Sequence, residues 1–384
     1  MSEAPVVSAD RPGTRLATRI AFFIAGFLVS CWAPLVPYAQ TRLGVDNALL
    51  GLLLLCLGAG SVGAMLLTGT LSARYGSRPI ILVGCVGLVL DLPLLTLAST
   101  PLSLGAALFA FGGFLGSLDV AMNIHAVEVE RAAERPLMSG FHGLYSVGGF
   151  AGAAVMTLLL SLHFGATRST LLCSALMIVA TLVAWPRFLI QTTPSSGSSS
   201  VVPRGIVLLL AALTGITFLA EGAVLDWGAL LMTRAGLVSV AHGGIGYALY
   251  SIAMTVGRLS GDRLVALAGD RATLFWGSLL AMAGFLLAVS APIAALALVG
   301  FLLIGAGCSN IVPVLFRGAG AQKVMPMGMA VAAISTTGYA GVLVGPAAIG
   351  FLAQMTNLRV AFGLLAALIS LVAFTSGLVA GRRS

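Results

Sequence analysis

The sequence alternates long apolar runs with short polar breaks. A helix that crosses the hydrocarbon core of a bilayer needs about 20 apolar residues, and runs of about this length recur along the whole chain. The pattern predicts twelve membrane-spanning helices, and therefore an all-α polytopic membrane protein. The predicted spans are 16–38, 47–70, 79–99, 103–127, 138–162, 168–190, 205–231, 241–258, 272–290, 293–316, 325–353 and 359–380.

One segment between the sixth and seventh runs has a different composition. Residues 191–204 contain Pro194 followed by Ser-Ser-Gly-Ser-Ser-Ser, which is typical of a flexible linker. We therefore predict an N-terminal six-helix bundle over 1–190, a cytoplasmic linker over 191–204 and a C-terminal six-helix bundle over 205–384.

The positions of the basic residues predict the orientation in the membrane. Cytoplasmic loops carry an excess of Lys and Arg, and with the N-terminus inside, 16 of the 20 basic residues fall in inside segments. The four in outside segments are Arg42, Arg168, Arg234 and Arg359. Both termini are therefore predicted to be cytoplasmic. The near absence of lysine indicates a GC-rich bacterial genome, and so a bacterial inner membrane.

Composition excludes several classes of protein. Hydrophobic residues make up 59% and charged residues 8%, whereas a soluble domain has roughly 25% charged residues, so most of the surface is expected to face the lipid bilayer. The net charge of +8 does not indicate a nucleic-acid partner, because the basic residues are scattered singly. The cysteines lie in apolar runs without metal-ligand spacing, and phosphate-loop and zinc motifs are absent. We predict no enzymatic activity, no cofactor and no metal.

The two halves of the chain contain similar short stretches. Gly-Thr-Leu-Ser at 69–72 recurs as Gly-Arg-Leu-Ser at 257–260, 188 residues later, and Gly-Phe-Ala-Gly at 149–152 recurs as Gly-Tyr-Ala-Gly at 338–341, 189 residues later. Each match is weak alone, but the shared offset indicates an internal repeat of six helices, which is a known plan of transporters.

Residues 69–78 resemble the signature loop after helix 2 of the major facilitator superfamily, although Ala73 stands where that family usually has Asp. In the second half, residues 257–263 retain an acid one place late. The resemblance covers the whole chain and implies two pseudo-symmetric six-helix bundles and a secondary transporter with alternating access. The residues that it implies for the gating loops are Gly69, Arg74, Gly76, Arg78, Arg258 and Asp262.

Helix 4 is similar to a more specific element of that superfamily. Asp119 and Asn123 resemble the carboxylate-x-x-x-Asn element of the fucose:proton symporter branch, which implies a protonatable Asp119 and a substrate contact at Asn123. The acid that this branch carries in helix 1 is missing from 30–34, so the branch's substrate and coupling scheme do not transfer whole. Helix 5 lacks the proline of the antiporter element, which disfavours a drug:proton antiporter.

Carboxylates inside apolar runs are the strongest functional signal. An Asp at the bilayer centre costs about 2.5–3.5 kcal/mol on insertion, so it is expected to face a cavity or a partner. Four acids qualify: Asp91, Asp119, Glu221 and Asp226. We predict a structural role for Asp91 at a helix break beside Pro93. Asp226, beside Trp227 near the outer helix end, could be a surface anchor or an outer gate.

The spacing of polar residues predicts two cavity walls. Gly112, Gly116, Asp119 and Asn123 share one side of helix 4, because residues three and four apart are neighbours on a helix. We expect this side to be a wall that is smooth at one end and polar at the other. Glu221 continues a polar stripe up helix 7, formed with Thr217 and Thr214.

Other polar residues are candidates with a structural alternative. His142, one turn before Tyr145, could relay a proton or could be a hydrogen-bonded packing residue. The predicted proton-coupling residues are Asp119, Glu221 and His142. The predicted substrate contacts are Asn123, Tyr145, Thr217, Tyr247, Asn310 and Tyr339. Of these, Tyr247, Asn310 and Tyr339 could instead join helices.

These patterns predict a function and two alternatives. The first is a monomeric secondary transporter whose partners are a coupling proton and a small polar solute, sugar-like or organic, moved by symport. The second is a proton-driven exporter of amphipathic compounds or drugs. The third is a membrane receptor that transports nothing, which the buried acids in both halves disfavour.

Overall fold

The computed structural model describes residues 11–190, 202–239, 242 and 244–380. Residues 191–201, most of the predicted linker, lie outside the described residues. A single 3-10 turn, Ala33–Leu35, joins the first two helices, and another, Trp185–Arg187, follows the seventh. The helices are α1 (Pro12–Trp32), α2 (Val36–Leu43), α3 (Asn47–Tyr75), α4 (Ser77–Leu97), α5 (Pro101–Ala133), α6 (Met138–Ser161), α7 (Ala166–Ala184), α8 (Ile206–Arg234), α9 (Ile245–Ser290), α10 (Ala294–Cys308), α11 (Ile311–Ala321), α12 (Met327–Met355) and α13 (Leu358–Val379).

The helices of the described part of the chain make twelve crossings. Eleven continuous helical segments are long and apolar enough to span a membrane, and one of them, α9, has 46 residues, about twice the length that a crossing needs. Gly269 interrupts α9 with a φ of 79°, which gives two segments, α9a (245–268) and α9b (270–290). The predicted fold class, an all-α polytopic membrane protein with twelve spans, is confirmed.

The signature segments do not form the loops that the sequence predicted. Helix α3 continues to Tyr75, and only Gly76, with a φ of 83°, separates it from α4. Helix α9a likewise continues past 257–263 to Gly269. The predicted ends were wrong because hydropathy falls where a helix leaves the membrane, whereas a helix ends where a residue such as glycine adopts a left-handed conformation.

Interresidue contacts divide the chain into two compact units, Met1–Ser199 and Ser200–Ser384. In the N-terminal unit, α1 packs on α6 and α3 packs on α5 through glycines. A methyl group placed on Gly116 would lie 2.4 Å from the carbonyl oxygen of Ser61, and one on Gly152 would lie 2.1 Å from that of Phe27. The backbones of these helix pairs are therefore in direct contact, as is usual where small residues pack in a membrane.

The C-terminal unit repeats these contacts in α9a with α10 and in α8 with α12. A methyl group on Gly305 would lie 2.2 Å from the carbonyl oxygen of Tyr250, and one on Gly341 would lie 2.4 Å from that of Gly215. Each of these residues lies 188 or 189 positions after its counterpart in the N-terminal unit. The repeat seen in the sequence is therefore a repeat of backbone contacts.

The cavity wall predicted on the fourth span, which is α5 in the structure, is wrong for its two glycines. Gly112 and Gly116 are pressed against the backbone of α3, and a methyl group on Gly112 would lie 1.9 Å from the carbonyl oxygen of Leu57. The Ser61 hydroxyl donates a hydrogen bond to the Gly112 carbonyl at 2.9 Å. The side of α5 that carries these glycines is therefore a helix–helix contact.

Pro93 does not break α4, which continues through it to Leu97. A proline inside a helix leaves the carbonyl four residues earlier without its usual donor. That carbonyl belongs to Val89, and the Ser174 hydroxyl of α7 donates to it at 2.8 Å. The Val89 carbonyl thus accepts a hydrogen bond from a neighbouring helix. The helix break predicted beside Asp91 is absent, and Asp91 itself is buried.

We predict that Gly116→Ala lowers the midpoint of thermal unfolding, whereas Gly113→Ala on the same helix does not. Both changes gain about 0.5–1 kcal/mol of helix propensity, but overpacking at Gly116 costs about 1–3 kcal/mol. A methyl group on Gly113 would be 3.9 Å from its nearest neighbour. The measurement is tryptophan fluorescence during heating in detergent, and equal midpoints for the two variants would contradict the packing argument.

Candidate functional site

A charged pair lies in the middle of two membrane-spanning helices of the C-terminal unit. Glu221 is near the centre of α8, and Arg258 is near the centre of α9a. Arg258 Nη2 lies 3.6 Å from Glu221 Oε2, and the side chains are 10% and 20% exposed respectively. A charge-assisted hydrogen bond would measure about 2.7–2.9 Å, so this contact is a loose ion pair. Ionisable residues at this depth are rare and usually functional.

The sequence did not predict this position of Arg258. The likeness to the signature loop placed it at the inner end of a span over 241–258, and it was counted among the inside residues. The structure places it inside α9a, eleven residues before Gly269, so its assignment to a loop is wrong. The apolar residues after it, Leu264 to Ala268, were the signal that the helix continues.

A break in the helix opposite brings an asparagine to the pair. Pro313 cannot donate to the carbonyl of Ser309, and α10 ends at Cys308 before α11 begins at Ile311. Asn310, at this break, donates from Nδ2 to the Gly257 carbonyl at 3.0 Å and to the Ser309 hydroxyl at 2.9 Å. Its Oδ1 atom is buried and accepts no hydrogen bond from the described residues.

Two tyrosines and a cysteine complete the polar cluster. Tyr250 is buried and stacks on Tyr247 with ring centroids 5.8 Å apart. Tyr250 and Cys308 lie within electrostatic range of both Glu221 and Arg258. We call the set Glu221, Tyr247, Tyr250, Arg258, Cys308 and Asn310 the C-terminal polar cluster. It offers a fixed cation, a carboxylate that can take up a proton, and amide and phenol groups that can bind a polar solute.

Two other predicted substrate contacts of this unit have different surroundings. Thr217 is fully buried, and its hydroxyl donates to the Leu213 carbonyl of its own helix at 2.8 Å. Tyr339 of α12 packs edge-on against Phe218, with ring centroids 6.3 Å apart. Tyr247 is therefore joined to the cluster through Tyr250, and Asn310 through the carbonyl next to Arg258, while the Thr217 hydroxyl is used within α8.

In the N-terminal unit, Asp119 and Asn123 lie on one side of α5, as predicted from their spacing. Asn123 is fully buried and donates from Nδ2 to the Asp119 carbonyl at 2.9 Å. Its Oδ1 atom is buried and accepts no hydrogen bond from the described residues, so it shares this feature with Asn310. The Asp119 residue is half-buried.

His142 lies between α1 and α6. Its ring is at 5.1 Å from that of Phe22, and it is 9% exposed. Tyr145, one turn later, brings its backbone carbonyl against Gly26 of α1. Both residues thus take part in the tight α1–α6 contact, and their roles as proton relay and substrate contact stay predictions.

The residues assigned to gating lie at helix ends or inside helices. Gly69 and Arg74 are in α3, and the Arg74 guanidinium lies 5.2 Å from the Tyr75 ring centroid. Gly76 forms the turn between α3 and α4, and Arg78 is in the first turn of α4. Asp262 lies one turn after Arg258 in α9a.

Sequence reasoning missed an ion pair and two glutamates. Arg317 of α11 pairs with Asp270 at the start of α9b. Glu130 Oε2 accepts hydrogen bonds from the backbone N–H groups of Leu137 and Met138, both at 2.7 Å, and so caps the start of α6.

The second glutamate, Glu128, has a buried Oε2 atom that accepts no hydrogen bond from the described residues. Both glutamates were overlooked because the predicted helix ended at 127, whereas α5 continues to Ala133. Among the residues that the structure describes, no three His, Cys, Asp or Glu side chains group closely enough to hold a metal ion.

The whole chain is similar to proteins of known family. The sequence profile of the Major Facilitator Superfamily matches residues 19–326. An uncharacterized MFS-type transporter of Yersinia pestis is 49% identical over 368 residues, which cover 95% of this chain and 96% of that protein. An uncharacterized transporter of Sinorhizobium fredii is 34% identical over 361 residues, which cover 92% of this chain and 95% of that protein.

The fold also matches a solved structure. The crystal structure of the MFS transporter FucP in the outward conformation gives a TM-score of 0.76 over 96% of this chain and 99% of that chain, at 17% identity. The family resemblance that residues 69–78 and 257–263 carry is thus confirmed, and the chain belongs to the major facilitator superfamily.

Proposed function

We propose that this protein is a proton-coupled secondary active transporter that moves a small polar solute by alternating access. The observation that carries the proposal is the Glu221–Arg258 pair at the middle of its two helices. Replacing a buried ion pair with apolar residues is often neutral or stabilising, so stability alone does not account for such a pair. A role in solute binding and proton coupling accounts for it.

The proposed mechanism uses the proton to switch the charge of the polar cluster. Glu221 takes up a proton when the site is open to the side of higher proton concentration. Because a bare carboxylate is unfavourable in a closed, dry site, protonation removes a barrier to closing the site around the solute. Release of the proton on the other side restores the pair with Arg258 and resets the carrier.

Asp119 is the second proposed proton carrier. It lies on α5 in the N-terminal unit, one turn before Asn123, as the likeness to the fucose:proton symporter branch implied. Asn123 and Asn310 lie near equivalent places in the two repeats, 187 residues apart, and each has an amide oxygen without a donor among the described residues. These oxygens would accept hydrogen bonds from the solute's hydroxyl or amine groups.

The proposed setting is a bacterial inner membrane with both termini in the cytoplasm. The uneven distribution of arginines supports this orientation, and the Yersinia and Sinorhizobium relatives are bacterial proteins.

The first test applies while the solute is still unidentified. Sugars, organic acids and drugs are screened for stabilisation of the purified protein at two pH values, since a ligand stabilises the state it binds. We expect a stabilising compound to change the internal pH of dye-loaded liposomes that contain the protein. Compounds that stabilise the protein but never move protons would overturn the coupling. Toxin resistance conferred on cells, without uptake of any compound, would identify the exporter alternative instead.

We predict that Glu221→Gln reduces accumulation driven by a pH gradient by about tenfold or more, in line with the usual effect of removing a proton-transfer group. Exchange of labelled for unlabelled solute at equal pH should continue, because it requires no net proton movement. The control is Glu134→Gln, which changes an exposed carboxylate. Normal gradient-driven accumulation by the Glu221 variant would refute this role.

A parallel prediction concerns Asp119→Asn. We expect this variant to lose uptake driven by a pH gradient and to retain exchange, because an amide cannot carry the proton but preserves the size of the side chain. Uptake is measured in the same liposomes, with Glu134→Gln again as the control. If the variant accumulates solute as the unaltered protein does, Asp119 carries no coupling proton.

A further inference from the structure

We infer that the N-terminal unit carries a binding site for an anionic phospholipid, one acyl chain of which lies in an apolar groove between α4 and α7. The inference concerns the lipid around the protein and depends on neither the solute nor the proton coupling proposed above. It follows from three features of the groove: its apolar lining, its position in one half of the membrane, and the arginines at its end.

The groove is a recess of about 240 Å³ in the surface of the N-terminal unit. Two polar groups belong to its lining. The Thr181 hydroxyl donates to the Met177 carbonyl of its own helix at 2.8 Å, and the other group is the indole N–H of Trp185 at one end. The remaining lining is aliphatic and consists of Val86, Val89, Leu90, Ile178 and Leu182. This lining suits a hydrocarbon chain whose polar end lies beside Trp185.

Lipid reaches the groove directly. Leu90 and Leu182 on its rim are each 63% exposed in the protein alone, and both belong to helices that are long and apolar enough to span the membrane. An engineered cavity of about 150 Å³ holds a benzene molecule, so the larger groove has room for several methylene groups. An acyl chain that enters it gains dispersion contacts that an empty recess lacks.

The groove lies in one half of the bilayer. Near one end, the Ser174 hydroxyl of α7 donates to the Val89 carbonyl of α4 and joins the two helices. Trp185, at the other end, follows eleven residues later, which is about 16 Å along a helix. This distance is roughly half the thickness of the hydrocarbon core, so the groove matches the acyl chains of a single leaflet. In the proposed orientation, this leaflet faces the cytoplasm.

Arginines lie at the Trp185 end of the groove. Arg187 is exposed and donates to the Val183 carbonyl at the end of α7. A guanidinium has five N–H donors, so others remain for a phosphate group. Arg78 is in the first turn of α4. The one acid in the described α4 and α7 is Asp91, beyond the opposite end of the groove. Basic residues beside a membrane attract anionic headgroups, and tryptophan is typical of the headgroup level.

A single phospholipid matches these features better than a second copy of the protein does. A helix of another copy would cross both halves of the bilayer, whereas the groove occupies one half. The apolar lining and the basic end correspond to the two parts of one anionic lipid. The length and the charge of the groove therefore select the same ligand.

Quenching of tryptophan fluorescence by brominated lipids tests the site in the full chain. Two variants each keep one of the four tryptophans and have Phe at the other three positions. One keeps Trp185, and the control keeps Trp276, which is 67% exposed and lies on α9b five residues after Arg271. Brominated phosphatidylglycerol is compared with brominated phosphatidylcholine in bilayers of unbrominated phosphatidylcholine.

We expect Trp185 to show about a fivefold preference for phosphatidylglycerol, the factor that corresponds to one arginine near a membrane surface. Trp276 should show a smaller preference, because it lies near an arginine but has no groove. Equal preferences at the two tryptophans would indicate a general attraction to basic surfaces and would overturn the inference. The absence of any preference at Trp185 would do the same.

Two pairs of variants in the protein that keeps Trp185 test the two parts of the site. Val86→Phe fills the groove, whereas Val83→Phe adds the same ring at a valine of α4 that is 58% exposed and outside the lining. Arg187→Gln removes the charge at the groove end, and Arg168→Gln removes an exposed arginine at the other end of α7.

We expect Val86→Phe and Arg187→Gln to lose most of the preference and the two control variants to keep it. A preference that survives Val86→Phe would refute the groove, and one that survives Arg187→Gln would refute the headgroup contact. Loss of the preference in both controls would refute the location of the site.

Native mass spectrometry of the unaltered protein gives an independent measurement that requires no substitution. We expect one phosphatidylglycerol to remain bound to the monomer in the presence of excess phosphatidylcholine. A dimer without bound lipid would assign the groove to a second copy of the protein and overturn the inference. A monomer that retains no phosphatidylglycerol would also overturn it.

Discussion

The structure depends on one constraint: inside a bilayer, water does not satisfy backbone or charged groups, so the protein must satisfy them itself. This constraint accounts for the helices, and it also explains details within them. The carbonyl freed by Pro93 binds Ser174 of another helix. The start of α6 is capped by Glu130 from α5. Arg258 has Glu221 within 3.6 Å. In these three cases the polar group is tied to a partner from a neighbouring segment.

Packing and chemistry follow different rules in the two repeats. The glycine contacts recur at equivalent positions, because small residues allow backbones to approach in any helix pair. The charged pair does not recur, since the position equivalent to Arg258 is Thr70. The N-terminal unit carries instead a carboxylate, Asp119, beside a buried asparagine. The repeat thus supplies a common scaffold, and individual substitutions supply different chemistry in each half.

The sequence predicts those features that a single position or a short pattern encodes. The twelve spans follow from hydropathy, and Glu221 is conspicuous because an acid in an apolar run is costly. Features that require a neighbouring helix were out of reach. Spacing places Gly112 and Gly116 on one side of α5, but only the fold shows that α3 covers them. Arg258 was misplaced because a motif suggested a loop, whereas the position of Gly269 determines where the helix ends.

The state of the polar cluster supports a role in exchange more than in stability. A buried ion pair that served stability would have short contacts and no idle oxygens, since incomplete polar networks are worse than apolar packing. Here the pair is long, and oxygens of Glu221 and Asn310 are buried without hydrogen bonds from the described residues. Such a cluster gains when a group with better geometry enters it. A solute group that donates hydrogen bonds to these oxygens would complete the network, so a buried acceptor that costs stability can contribute to solute binding.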